Sequence, residues 1–200
     1  MPPNPKGSFE RRASRMLSRT RRDSAVPKKN HGPCKQQKAR PFKPMKVEGL
    51  RSPYRKVGNL YHLGRMLDKI RLQQAQRLPA EYLPNLGLSA GLDGHLCGFL
   101  GVEFSAVCER LRQGGTDDEI AEWCFQHGLR PSKMQARVWN EFARKFGYDD
   151  VAAKFLARTK AEEGLEHRTD IVTTFDLIDL REGWGEGSAS ASPESSQPLR

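Results

Sequence analysis

Residues 114–147 read G-G-T-D-D-E-I-A-E-W-C-F-Q-H-G-L-R-P-S-K-M-Q-A-R-V-W-N-E-F-A-R-K-F-G, and their punctuation decides the fold. Thr116 followed by Glu119, and Ser132 followed by Gln135, are capping boxes. In each, a hydroxyl accepts from the amide three residues on, while the longer polar side chain reaches back to the cap amide. Gly114 and Gly115 end the segment before, Gly128 ends the first helix and Gly147 the second, because the left-handed backbone after a helix costs glycine least. Two helices are predicted, over about 117–127 and 133–146, the second with Val138, Trp139, Phe142 and Phe146 inside.

Working outward, residues 103–113 carry Phe104, Val107 and Leu111 at helical spacing, and a short helix is expected at 94–100. Residues 78–93, L-P-A-E-Y-L-P-N-L-G-L-S-A-G-L-D, have Pro and Gly punctuation and no period, so they read as a long loop of the kind that often carries function. Before it, Leu60, Leu63, Leu67 and Ile70 form one stripe of a helix over about 59–77. After Gly147, Asp149 or Asp150 caps a helix with Val151, Phe155 and Leu156 as its apolar positions. In D-I-V-T-T-F-D-L-I-D-L-R-E-G, residues 170–183, the β-branched run favours a strand. Ile171, Phe175 and Ile178 nevertheless fit a helix capped by Asp170. The result is an all-α fold, a single compact domain of about six or seven helices over residues 53–181.

Charge divides the chain the same way. Residues 1–50 hold fourteen Lys and Arg against three Asp and Glu, whereas residues 51–181 hold nineteen against eighteen. Of the sixteen aromatic residues, thirteen lie in 51–181, the stretch able to close a core. Residues 1–52, basic and dotted with prolines, and the Ser/Gly/Pro-rich residues 182–200 are expected to be disordered tails. Mean hydropathy is −0.72, and no stretch of 18 apolar residues exists, so no membrane insertion is expected. Four cysteines without framework spacing (Cys34, Cys97, Cys108, Cys124) read as reduced thiols, which points to the cytoplasm.

The helix over 59–77 holds the densest chemistry. On a wheel of about 100 degrees per residue its apolar stripe centres near 320 degrees from Leu60, while His62, Arg65 and Lys69 fall between roughly 140 and 200 degrees. Those three are expected on the outer face. Arg71 returns to the buried edge beside Leu60 and Leu67, with Gly64 and Asp68 bordering it, and needs a carboxylate partner. Together with Asp93 at the end of the long loop, these residues fit either a structural ion-pair network or a pocket for a small anionic ligand.

The strings R-S-P-Y-R-K-V-G-N-L-Y-H-L-G-R-M-L-D-K-I-R, L-D-G-H-L-C-G-F-L-G-V, T-D-D-E-I-A-E-W-C and V-W-N-E-F closely resemble a small bacterial family catalogued as domain of unknown function 5069. The similarity spans about residues 51–181. It implies a cytosolic bacterial domain and no particular activity; the long basic N-terminus departs from the family pattern.

Other chemistry is less supported. His95-x-Cys97 and Cys124-x-x-His127 supply four ligand types that zinc accepts, but i and i+2 on a helix diverge and neither pair has a knuckle turn, so no metal is expected. No phosphate-cradling glycine loop precedes a Lys-Ser/Thr pair, no nucleophile sits beside a base, and no cofactor is implied. Arg11, Arg12, Arg15, Arg19, Arg21, Arg22, Lys28 and Lys29 suit salt-sensitive, sequence-indifferent nucleic-acid binding by the tail. The expectation is a non-enzymatic binding module for a partner protein or a small anion. The alternatives are a nucleic-acid tether through the tail and a small enzyme using His62 or Asp93.

Overall fold

The computed structural model describes residues 44–184; the two expected tails, and the eight basic residues singled out between Arg11 and Lys29, lie outside them except at their inner edges. Among the described residues seven α-helices follow one another: α1 Leu63–Gln74, α2 Leu92–Leu100, α3 Phe104–Arg112, α4 Asp117–His127, α5 Lys133–Lys145, α6 Ala153–Glu162 and α7 Thr174–Glu182. A 3₁₀ segment, Ala80–Asn85, runs inside the expected long loop. No strand is present among the described residues; the only sheet-like pairing there is an isolated bridge between Val57 and Leu60.

Both expected capping boxes are present, Thr116 with Glu119 and Ser132 with Gln135. A third opens α7, where Thr173 accepts from the Asp176 amide and Asp176 reaches back. Residues 174–182 are therefore helical, and the cap is Thr173 in place of the expected Asp170, whose carboxylate is held instead by Arg168. Helix α1 begins four residues later than its apolar stripe suggests. Asn59 and His62 both have left-handed backbone, φ 63° and 69°, so Leu60 enters the core from a turn.

Helix α1 is the axis of the core. Leu63, Met66, Leu67 and Ile70 pack with Leu96, Leu100, Val107, Ile120, Cys124, Trp139 and Phe175, drawing on α2, α3, α4, α5 and α7. A smaller cluster gathers Leu156, Leu165, Ile171 and Leu177, and another gathers Val47, Leu50 and Leu72. Packed residues thus extend past both edges of the 53–181 range: Val47, Leu50 and Ser52 are buried before it and Glu182 after it.

Four side chains expected inside lie outside. Trp139 and Phe146 are buried as their spacing predicts, but Val138 is 60% exposed and Phe142 is 38% exposed. On α6 and its approach, Val151 and Phe155 are exposed while Leu156 is buried. On α5 the reason is that the helix is covered on its Ala136, Trp139 and Ala143 side, which leaves the neighbouring apolar positions without a partner helix.

Candidate functional site

Every residue from His62 to Ile70 is buried, so the polar face of α1 is as fully covered as the apolar one. This corrects the expectation that His62, Arg65 and Lys69 face solvent. The wheel separates polar from apolar sides correctly, but the polar side is roofed by residues 47–52, by the 80–87 loop and by the end of α7. Burying a charge without a partner is strongly destabilising, and each buried charge on this face has one.

The innermost group joins α1 to the first turn of α2. The Lys69 ammonium donates to both Asp93 oxygens, at 2.7 and 2.6 Å. His62 Nε2 lies 2.8 Å from Asp93 Oδ1, and the Gly87 amide donates to Oδ2 at 3.0 Å. Gly87 reaches that position in left-handed backbone, φ 67°, where a Cβ would stand 2.5 Å from the Phe104 ring, so glycine is what lets the loop bring its amide in. Burial alone would raise the Asp93 carboxyl, but the Lys69 charge and the hydrogen bonds from His62 and Lys69 outweigh it and hold the group ionised. Burial pushes Lys69 down, partly offset by Asp93, and pushes His62 down to about 4. The imidazole is therefore neutral near pH 7. Since a carboxylate only accepts, its proton sits on Nε2, and Nδ1 is left buried without a hydrogen-bond partner.

A second group joins α1 to the end of α7. Arg65 Nη1 donates to Glu182 Oε2 at 2.8 Å, and Nη2 engages Oε1 in the parallel bond of a fork. The Tyr82 hydroxyl and the Trp184 indole N–H donate to the same carboxylate, at 2.8 and 3.1 Å. Burial, then the adjacent Glu182 charge, drives the Tyr82 hydroxyl far above its ordinary range, which keeps it a donor. Arg65 Nη1 also donates to the Arg51 carbonyl at 2.9 Å.

The third group is half-exposed. Arg51 forks onto Asp68 through Nε and Nη2, both at 2.6 Å, and its Nη1 reaches Asp117 Oδ2 at 2.6 Å. Arg71 Nη1 takes the other Asp117 oxygen at 2.6 Å and lies 3.8 Å from Asp68. Asp117 opens α4, where the helix dipole adds to the two guanidiniums. Gly64 lets Arg51 cross α1: a Cβ there would stand 2.8 Å from its Nη1 and from Val57 Cγ2.

All six expected residues therefore belong to one set of ion pairs, but they divide. His62 and Lys69 converge on Asp93, whereas Arg71 and Asp68 meet Arg51 and Asp117, and Arg65 meets Glu182. Sequence reasoning missed Arg51, which it assigned to the tail, and Glu182, which it assigned to the opposite tail. Asp117 stands at a predicted helix start, where the macrodipole alone accounts for an acid, so nothing in the sequence singles it out. The available signal was the 62-65-69 spacing, a polar stripe of 3 and 4 residue steps, together with the near-exact charge balance of 51–181.

The four metal-type residues do not converge. His95 packs edge-on against Phe142 and Phe146, Cys97 faces the Met66 sulfur at 3.9 Å, and His127 stacks on Trp123. Among the described residues no three His, Cys, Asp or Glu side chains group as a metal site. No described helix is long and apolar enough to cross a membrane.

Two concavities lie elsewhere, both on α5. One is an apolar groove of about 470 Å³ against α2, lined by His95, Gly98, Phe99, Val138, Trp139 and Phe142 among others. The other, of about 240 Å³, is polar and lies between α5 and the turn at 56–61.

A helical domain organised around one buried, charge-paired helix is the class that this fold and network define. The chain belongs to the family described as domain of unknown function (DUF5069), whose model matches residues 47–184, a span that begins at the first buried core residue and takes in Glu182. A comparison with curated proteins finds no match.

Proposed function

We propose that this domain is a non-enzymatic interaction module that receives an apolar anchor of a partner protein in the groove between α2 and α5. The observation that carries this reading is Gly98. It sits inside α2, its backbone φ is ordinary, and a Cβ there would meet nothing within 4 Å. Glycine within a helix costs about 1 kcal/mol relative to alanine, and at this position packing of the fold returns none of it. Close approach by something outside the domain does. Met134 and Val138, 65% and 60% exposed, extend the apolar surface along α5, and His95 Nε2, on the groove wall, is buried without a hydrogen-bond partner. Against an enzymatic reading, His62 Nε2, Lys69 and Asp93 are engaged with one another out of reach of solvent, and Arg71 is engaged elsewhere.

The test places a photo-crosslinking phenylalanine analogue at Val138 of the full chain, in the cells it comes from. A discrete adduct is expected that Gly98→Leu, which fills the groove, abolishes while the urea midpoint holds. An adduct pattern indifferent to Gly98→Leu overturns the proposal.

A second reading rests on the fourteen basic against three acidic residues of 1–50: a non-specific nucleic-acid tether, separable because deleting residues 1–43, which spares the packed Val47 and Leu50, should abolish duplex binding at low salt. Undiminished affinity after the deletion removes it.

A further inference from the structure

The polar cleft on the other flank of α5 is a built, positively charged site that neither the ion-pair network nor the groove uses. Lys133, Arg137, Asn140 and Arg144 follow one another at 4, 3 and 4 residues, one face of the helix. The facing wall is the turn carrying Lys56 and Tyr61, with the Lys56 ammonium 4.8 Å from the Tyr61 ring centre. That turn is bolted to α5 at three points. Buried Asn140 accepts from the Tyr61 amide at 2.8 Å and donates to the Asn59 carbonyl at 3.0 Å, and the Trp139 indole donates to the Tyr61 carbonyl at 3.0 Å. Asn59 holds left-handed backbone to make the turn. The two walls are therefore fixed relative to each other before any ligand arrives, which lowers the ordering cost of binding.

Charge is unbalanced in this cleft as it is nowhere along α1. The one carboxylate on its rim, Glu141, is already engaged by Arg144 at 2.6 Å and Lys145 at 3.1 Å. Lys56, Lys133 and Arg137 have no carboxylate partner among the described residues. Three unpaired cations facing one small volume call for more than one negative charge. A phosphate monoester supplies about −1.5 to −2 near neutral pH and offers oxygens that an arginine fork meets in pairs. The volume of this open cleft, about 240 Å³, falls below the roughly 300–1,000 Å³ of sites for drug-sized ligands. It suits a phosphoryl group on a short stem.

We propose that the cleft between α5 and the Lys56–Tyr61 turn binds the phosphoryl group of a small phosphate monoester, held by Lys56, Lys133 and Arg137. This site is distinct from the α2–α5 groove, and either can fail without the other.

The experiment titrates the full-length, isotope-labelled chain with inorganic phosphate at constant ionic strength and follows amide and side-chain amide NMR signals. Saturable shifts are expected at the Tyr61 amide and the Asn140 side chain. Arg137→Ala should weaken the effect about tenfold, as loss of one charge-assisted pair predicts, and Lys133→Ala with Arg137→Ala should abolish it. Lys56→Glu, on the opposite wall, should weaken it as well, which a change propagated along α5 alone does not do. These side chains are exposed, so the variants keep the wild-type spectrum elsewhere. Shifts confined to residues before 50, shifts unchanged in the double variant, or equal shifts with acetate overturn the proposal. A short DNA duplex that perturbs the same cleft signals at far lower concentration overturns the small-ligand assignment in favour of nucleic acid.

Discussion

Lowering the pH from 7.5 to 4.5 should destabilise the domain through one imidazole. His62 is buried, its neutral ring donates from Nε2 to an Asp93 carboxylate that Lys69 already neutralises, and its Nδ1 has no acceptor nearby. A second cation there gains no partner for its new proton. The folded-state value of about 4 against an ordinary 6.5 means that the unfolded chain binds a proton that the native state refuses. The sign follows: stability is present above pH 6.5 and is lost as the pH falls toward 4. Integrating the two titrations gives a loss of about 2.5 kcal/mol between pH 7.5 and 4.5, about 0.8 kcal/mol per pH unit on average, with the limiting slope of about 1.4 for one proton approached only between the two titrations. Asp93, held below the ordinary carboxylate range, adds its own loss only below about pH 4, outside this window. The assay is urea unfolding followed by Trp fluorescence at half-unit pH steps, on the full chain and on His62→Gln, whose amide keeps a donor for Asp93 and does not titrate. The wild-type slope should be largely absent in the variant. An identical slope in both refutes the assignment to His62, and stability that rises as the pH drops through 6.5 means that the buried ring is an imidazolium.

Removing the carboxylate at Glu182 should cost about 3–5 kcal/mol, because Arg65 is then a buried charge without its fork; urea midpoints of Glu182→Ala check it, and a change under 1 kcal/mol contradicts the pairing. Gly98→Ala should stabilise by about 0.5–1 kcal/mol through helix propensity, whereas Gly94→Ala should destabilise, since its Cβ would stand 2.4 Å from the Ser89 backbone. Thermal midpoints of the two variants moving the same way would undo that contrast. Burial pushes the Cys97 and Cys124 thiols up to about 12 and 11, so at pH 8 both should react with a disulfide reagent only as fast as the domain unfolds; prompt modification of either in the folded protein counts against their packing.

What the sequence discloses about this protein is mostly local. Capping boxes involve four consecutive residues, so Thr116 and Ser132 announce their helices without help from the fold. The same locality misplaces the start of α1, because the left-handed residues Asn59 and His62 are held by partners far along the chain: Asn140 donates to the Asn59 carbonyl, and Asp93 meets the His62 ring. Periodicity separates the sides of a helix but does not say what covers them. On α1 the polar side is roofed by segments 14 to 117 residues away in sequence, and on α5 part of the apolar side is not covered at all. Both misreadings come from reading exposure off polarity, a rule that holds for an average surface helix and fails on α1, where the chain folds back twice over one face, and on α5, where part of the apolar side has no cover.

That double return explains why the network is ionic. Four cations, Arg51, Arg65, Lys69 and Arg71, face four carboxylates, Asp68, Asp93, Asp117 and Glu182, with His62 neutral among them. Buried ion pairs of this kind seldom stabilise more than apolar side chains of similar volume would, since desolvation consumes most of the Coulombic gain. They do penalise misalignment heavily, because a shift that parts one pair strands two charges. Each cation of α1 points to a different element: Lys69 to α2, Arg71 to α4 and Arg65 to α7, with Arg51 crossing from the chain before α1. The network therefore sets the register of three helices around a fourth, and a helical core whose apolar contacts tolerate sliding gains a single arrangement from it. Rigidity of that kind is of use chiefly to the surface it supports. On α5, Trp139 and Asn140 tie that frame to the outside, with the groove on one flank and the charged cleft on the other, so the residues that look most like chemistry hold the shape while the recognition proposed above is left to the plainer helix.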